Sequence, residues 1–375
     1  EFYALAVEAE TEEEEGEGPT HPTTPLGVLL LQVVRGMFDH AHVPEALRLA
    51  LVIAIHKKDD VLDMGNYRGI SLIEPILKVV STLVARRLER ELESANLIHM
   101  TQAGFRAGEE SMLQIASLVD VCERRREAGK DTYLGFVDLR KAFDVVPHRA
   151  LFRKLSAIGV HGRTLSFLMS LYATARVAVS LPCGNAPGVP VGRGVRQGDP
   201  CSPILFSIFV NDIMKMHRSQ SMGVTVKGLG DGMRIPGLQF ADDLALLAES
   251  PEDLKSSVAF VTTWADEWGM SFGVKKCGVM CVPAQCGDVS WRDTLEKEGV
   301  KIHDESVPIV ESYPYLGLPF HWNLDYGVMV EERSKKATST LNALQPFMGN
   351  TTVPLSIRQS ALQTFLIPAV CFGGE

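Results

Sequence analysis

Apolar residues recur along this chain with two periods, and those periods divide it into helices and short strands. Leu77, Val80, Leu83, Val84, Leu88 and Leu92 return every three or four positions within 75–96, which predicts one long helix with these side chains on one side. The same spacing predicts helices over 25–38, about 110–128, 148–158, 162–174, about 327–347 and about 354–369. Pro200 or Pro203 opens another, running to about Met216. Ser250-Pro251-Glu252-Asp253 places a cap hydroxyl, a first-turn proline and two acids at the start of a helix that ends near Gly269. Apolar, β-branched runs predict strands at 49–55, 133–139 and 177–180, with strand-like pieces at about 273–282 and 307–318. Residues 238–248 carry two apolar runs on either side of Ala241-Asp242-Asp243, the pattern of a hairpin with acids at its turn. A Gly- and Pro-rich loop fills 182–198. Strands and helices interleave without a regular βαβ rhythm, so the expected class is α+β.

Composition changes this picture in three places. The hydrophobic share of 46% over 375 residues is enough for a substantial core in one multi-lobed domain or two to three ordinary ones. The net charge of −9 is awkward for a nucleic-acid binder, but most of it comes from 8–17, which is mostly Glu and carries no base. Residues 1–23 therefore read as an acidic, disordered tail, and local basic clusters have to decide the question of nucleic acid. Arg86, Arg87, Arg90, Arg124, Arg125 and Arg126 form either a nucleic-acid face or ordinary solvated helix surface. Seven scattered cysteines do not form a secreted disulfide pattern, and Cys277, Cys281 and Cys286 lack a fourth zinc ligand at finger-like spacing. With no signal peptide and an apolar run at 26–34 too short to span a bilayer, the expectation is an intracellular protein, nuclear or cytoplasmic, with no membrane partner. The chain begins with Glu and stops abruptly, and reads as a piece of a longer polypeptide.

Two segments carry the chemistry. Gly135-Phe136-Val137-Asp138-Leu139 and Leu238-Gln239-Phe240-Ala241-Asp242-Asp243-Leu244 each set carboxylates at the end of a strand otherwise too apolar to tolerate them. Alternation would send Asp242 and Asp243 to opposite faces, whereas a tight turn lets both project toward one point. Asp138 on a neighbouring strand completes three carboxylates, a cluster that calls for cations. Magnesium suits it, because it takes carboxylate oxygens and keeps positions open for phosphates. Two such ions about 3.5–4 Å apart clamp the attacking and leaving oxygens of an in-line phosphoryl transfer.

These segments resemble the reverse transcriptases of non-LTR, LINE-like retrotransposons, with similarity to group II intron-type enzymes. Phe240-Ala241-Asp242-Asp243 resembles the family's Tyr/Phe-x-Asp-Asp signature, and 136–144 its first-aspartate motif. Residues 195–206, beginning Val195-Arg196-Gln197-Gly198-Asp199-Pro200, resemble the intervening motif. Gly65-Asn66-Tyr67-Arg68-Gly69 and Gln102-Ala103-Gly104-Phe105-Arg106 are similar to fingers motifs, and 269–277 and Tyr315-Leu316-Gly317 to later palm motifs. The likeness runs over about 45–375. Arg196, Gly69 and Gly273 depart from the usual Pro, Pro and Asn, which touches loop geometry and leaves every acid in place.

The resemblance implies a right-hand polymerase fold: 24–130 mainly fingers, 131–325 mainly palm with inserted fingers elements, and 326–375 a helical thumb, possibly truncated. It implies an RNA-directed DNA polymerase that takes dNTPs, an RNA template and a DNA primer, with two Mg²⁺ ions for which Mn²⁺ can substitute. Asp138, Asp242, Asp243 and the Leu139 carbonyl are then the metal ligands, and Lys276 the proton donor to the leaving group. Phe143 becomes a steric gate against a 2′-hydroxyl, which separates this reading from an RNA-copying RNA polymerase. Gln197 and Gly198 line the nucleotide pocket, Arg68 with Lys57 or Lys58 grips the triphosphate, and Arg106, Tyr315, Leu316 and Gly317 meet template or primer. The rival reading is an inactive or domesticated fragment that binds RNA. No endonuclease or Cys/His knuckle is legible, so the polymerase part alone is expected, of unassigned oligomeric state.

Overall fold

The helix Pro75–Ser94 shows how the pattern becomes structure. Leu77, Val80, Val84, Leu88 and Leu92 are buried with Ser81 and Ala85 on one stripe. Leu83, expected on that side, is 53% exposed. At about 100° per residue it sits some 60° outside the edge set by Val80. In this computed structural model the described residues are 22–57, 60–219, 222–228 and 233–372. The acidic run at 8–17 and Lys58 lie outside them. Among the described residues no helix is long and apolar enough to cross a membrane.

The chain groups into two compact units, each discontinuous in sequence. The first takes 1–99, 141–212 and 268–270, and the second 100–140, 213–267 and 271–375.

In the first unit, strand Leu49–His56 pairs antiparallel with Tyr67–Leu72 and parallel with Arg176–Leu181. The Gly/Pro-rich loop contributes two short strands, Gly184–Asn185 and Val189–Pro190, both paired back to Arg176–Leu181. Helix Ser202–Val210 is apolar nearly all round and correspondingly buried. It does not run on to Met216 as expected. Asn211 interrupts it, accepting from His99 N–H (2.7 Å) and donating to Leu97 O (2.7 Å), and a second helix starts at Asp212.

In the second unit four antiparallel strands run in the order Gly278–Val282, Thr132–Asp138, Asp243–Ala248, Gly237–Phe240. Helix Pro251–Trp268 starts as its sequence predicts, with Ser250 Oγ accepting from Asp253 N–H (3.1 Å). Its Leu254 reaches the sheet because Gly135 has no side chain: a Cβ there would stand 3.0 Å from Leu254 Cδ1. Helix Trp291–Glu298 is an addition the apolar spacing did not announce, since only Trp291 and Leu295 are buried in it. The C-terminal part is helical, Tyr326–Met348 followed by Leu355–Ala361 and Ile367–Cys371.

Helix Ser111–Glu127 ends in three arginines that go separate ways. Arg124 pairs with Asp120 on the surface (2.8 Å). Arg125 is 2% exposed and bonds Thr132 Oγ1 (3.0 Å), Asp131 O (2.7 Å), Thr225 O (2.8 Å) and Glu249 Oε1 (3.1 Å). Arg126 donates to Pro283 O and Asn323 O. Arg125 and Arg126 are thus internal struts, neither a nucleic-acid face nor solvated surface.

Candidate active site

The three acids come from one sheet of the second unit. Asp243 is the direct cross-strand partner of Asp138. Opposed residues in an antiparallel pair put their Cβ atoms about 4.5–5.5 Å apart on one face. Alternation along the strand gives that face Phe136 as well. Tyr313 stacks on Phe136 at 4.3 Å with the rings 7° apart, and Tyr315 and Phe320 flank it at 5.4 and 5.8 Å. The acids therefore emerge where an aromatic-covered face ends, half-buried rather than solvated.

Ala241 and Asp242 form the turn between the two hairpin strands, and Asp243 is already the first residue of the second strand. Ala241 has φ +56°, left-handed and unfavourable for a residue with a Cβ. The chain around Gln102 holds it there. Gln102 Oε1 accepts from Ala241 N–H (3.0 Å) and from Gly104 N–H (2.9 Å), and Gln239 Nε2 donates to Ala241 O (3.2 Å). Gly104 lies flat on the turn, where a Cβ would come within 2.2 Å of Ala241 N. Backbone bonds from Gln239 N–H to Thr101 O and from Ala103 N–H to Gln239 O (2.9 Å each) complete the contact.

On its other side Asp138 meets the segment after helix Pro251–Trp268. Its carbonyl accepts from Gly273 N–H (3.0 Å), and Arg140 N–H donates to Ser271 O (2.8 Å). Leu139 pairs with Phe272 between these two bonds, a position where the residue's own carbonyl points away from that partner. Lys276 Nζ is 3.6 Å from Asp138 Oδ2, on a side chain 76% exposed. Burial pushes the Asp243 carboxyl up to about 7, the Asp242 and Asp138 carboxylates add to this, and Lys276 opposes it. Among the described residues no three His, Cys, Asp or Glu side chains close into a ready metal cage. The three carboxylates repel one another, with the Lys276 ammonium beside Asp138 as a partial counterweight. The donor set itself, hard oxygens in partial burial, suits divalent cations of the magnesium type.

Phe143, Gln197, Gly198, Arg68 and Lys57 lie in the first unit. Phe143 lies in the short helix Ala142–Val145 and stacks on buried Phe206 at 4.6 Å and 18°, leaving part of its ring accessible. Gln197 donates from Nε2 to Asp144 Oδ1 (3.1 Å), and its carbonyl accepts from Ser71 N–H (2.7 Å). Val195 N–H bonds Phe143 O (2.7 Å), which ties this loop to the Phe143 helix. Gly198 has φ +115°, and a Cβ there would stand 2.5 Å from Ser71 O, so no other residue fits. Arg68 is exposed on strand Tyr67–Leu72, opposite Ile55, and Lys57 is exposed just past its partner strand. Gln197, Phe143 and the strand bearing Arg68 are thus drawn into one neighbourhood.

Other expected positions differ. The Tyr315 ring is 1% exposed beside Phe136, so its side chain has no surface to offer a nucleic acid. Leu316 and Gly317 form the left-handed turn of the hairpin Ser312–Tyr315/Leu318–His321 and do reach the surface. Arg106 bends back to donate to Gln102 O (3.1 Å), partly exposed. The roles of Gln102, Gln239 and Tyr313 were not foreseen. A sequence signal existed for Gln239, a polar residue in an otherwise apolar strand.

The sequence profile of the family described as "Reverse transcriptase (RNA-dependent DNA polymerase)" matches residues 55–320. A Pol polyprotein from the type-1 retrotransposable element R2 of Popillia japonica is 27% identical over 80% of this chain. An uncharacterized 149 kDa protein of transposon TX1 from Xenopus laevis is 26% identical over 77% of it. The chain spans 40% of the first of these relatives and 22% of the second. Among solved structures, apo telomerase from Candida tropicalis superposes with a TM-score of 0.53 at 12% identity, covering 92% of this chain and 63% of that one.

Proposed function

Because the chain belongs to the reverse transcriptase (RNA-dependent DNA polymerase) family and has its α+β right-hand fold, we propose that it extends a DNA primer on an RNA template by transferring nucleotides from dNTPs. The observation that carries this reading is the Asp138–Asp243 cross-strand pair with Asp242 in the adjoining turn. Asp138, Asp242, Asp243 and the Leu139 carbonyl would hold two Mg²⁺ ions, or Mn²⁺ in their place. When bound, the ions neutralise charge that gathers on the attacking and leaving oxygens. Lys276, beside Asp138, supplies a proton to the departing pyrophosphate. Fingers, palm and thumb are allotted as the resemblance implies, with Leu316 and Gly317 facing template or primer.

Phe143 excludes a 2′-hydroxyl by bulk, its ring held in place by Phe206. Phe143→Ala therefore accepts ribonucleotides about tenfold or more better relative to dNTPs, within the range that pocket contacts command. Competition between dNTP and rNTP at one template position reads this, and unchanged selectivity removes Phe143 as the gate. Gln197, fixed by Asp144 and Ser71, lines the nucleotide pocket with Gly198. Arg68 and Lys57 grip the triphosphate as charge-assisted donors. Arg68→Ala raises the KM for dNTP by about tenfold, the worth of one charged hydrogen bond, with a smaller effect on kcat. An unaltered KM takes Arg68 out of the clamp.

The direct test is primer extension on RNA with Mg²⁺ and dNTPs. Synthesis of the complementary DNA supports the proposal. A folded protein that extends no primer on RNA or DNA points to the fragment that binds RNA without copying it.

A further inference from the structure

Gln102 lies outside the two segments that carry the acids. Gln102 is fully buried, and its Oε1 is shared by Ala241 N–H and Gly104 N–H. Gln239 is likewise fully buried and holds the other side of the same peptide through Ala241 O. Gln114 Nε2 reaches Gln239 O (3.2 Å) and Thr101 O (3.3 Å), so the strand end and the Gln102 loop are tied through one helix as well. Two glutamines thus hold the peptide groups of a single alanine whose left-handed backbone would otherwise relax, and a third braces the segments that carry them. Relaxation of Ala241 would rotate the next two residues, which are Asp242 and Asp243.

We infer that Gln102 is a positioning residue: by accepting from Ala241 N–H, it locks the turn in the conformation that presents both aspartates. This rests on the polymerase reading of the site. It predicts an effect on turnover and on ion binding rather than on nucleotide affinity, since Gln102 is fully buried and offers no surface to a nucleotide. Loss of a support behind metal ligands commonly lowers metal affinity or activity about 10–100-fold.

The test compares Gln102→Met, which keeps the volume and removes the acceptor, with Gln102→Glu, which keeps an acceptor oxygen at the same reach. Three quantities are read on the full chain: kcat and KM in primer extension, affinity for Mn²⁺ alone by electron paramagnetic resonance, and amide exchange across 239–243. Gln102→Met is expected to lose kcat about 10–100-fold with dNTP KM within about twofold. Mn²⁺ binding weakens with it, and the Ala241 amide exchanges at least about tenfold faster. Gln102→Glu keeps the Ala241 amide protected and recovers most of the turnover. Normal kcat in Gln102→Met overturns the inference, as does a loss of kcat with unchanged exchange at 239–243. If Gln102→Met does not fold, the wild-type amide decides, because Ala241 exchanging like an open loop also overturns it. A wild type that copies no RNA defeats the polymerase reading instead, and the exchange pattern still reports on the clamp.

Discussion

Asp243→Asn lowers primer extension about 10³-fold, equivalent to about 4 kcal/mol in the barrier, and the variant melts no lower than wild type in metal-free buffer. Both halves follow from one register. Asp243 stands opposite Asp138 on the same face of the sheet, with Asp242 beside it. Like charges directly opposed across strands destabilise a sheet, so replacing one carboxylate by a neutral amide of the same shape relieves repulsion. The same replacement removes a charged oxygen from the set that would hold the ions, and two-metal chemistry depends on that charge. An enzyme commonly gives up stability for its site in this way. Extension assays and thermal melting read the two effects separately. A variant that loses both activity and stability would show that Asp243 is a structural residue.

Arg125→Ala destabilises the protein by about 3–5 kcal/mol, with the acids untouched. The guanidinium is almost fully buried and makes four hydrogen bonds, one of them to Glu249. Burial raises the Glu249 carboxyl, but bonds from Thr225 N–H and hydroxyl, with Arg125 and Arg234, overcome this and bring it down to about 2. Removing Arg125 leaves that carboxylate short of a partner and orphans the carbonyls of Asp131 and Thr225. Urea denaturation measures the loss, and a change under about 1 kcal/mol would mean the network tolerates a gap or fills it with water.

The sequence already revealed most of what repeats or is chemically costly. The helix Pro75–Ser94, the capped helix Pro251–Trp268 and the acidic hairpin fall within a few residues of their expected ends. Periodicity and turn chemistry are local, and local order survives packing. Long-range partnerships were less legible. Asn211 ends a helix because it satisfies the backbone at Leu97 and His99, a decision made more than a hundred residues away. Arg125 reads as one more basic residue on a charged helix end, and only tertiary structure turns it inward. Tyr315 shows the limit of carrying a role over by motif: its side chain went to the core, and only the turn beside it stayed at the surface. Gln102 was visible within its motif, yet its task depends on a turn well over a hundred residues downstream.

The interleaving of the two units bears on how the protein is made. The first unit includes 268–270 and the second extends through 271–375, so neither has all its parts until well over two-thirds of the chain has been synthesised. Strand Leu49–His56 in particular must wait for Arg176–Leu181 before one of its edges is covered. Pairings this distant close large loops first, which slows folding and leaves strand edges open in the meantime. A nascent chain of this kind depends on being kept from its neighbours until residue 270 has been made, and truncation before that point leaves both units incomplete.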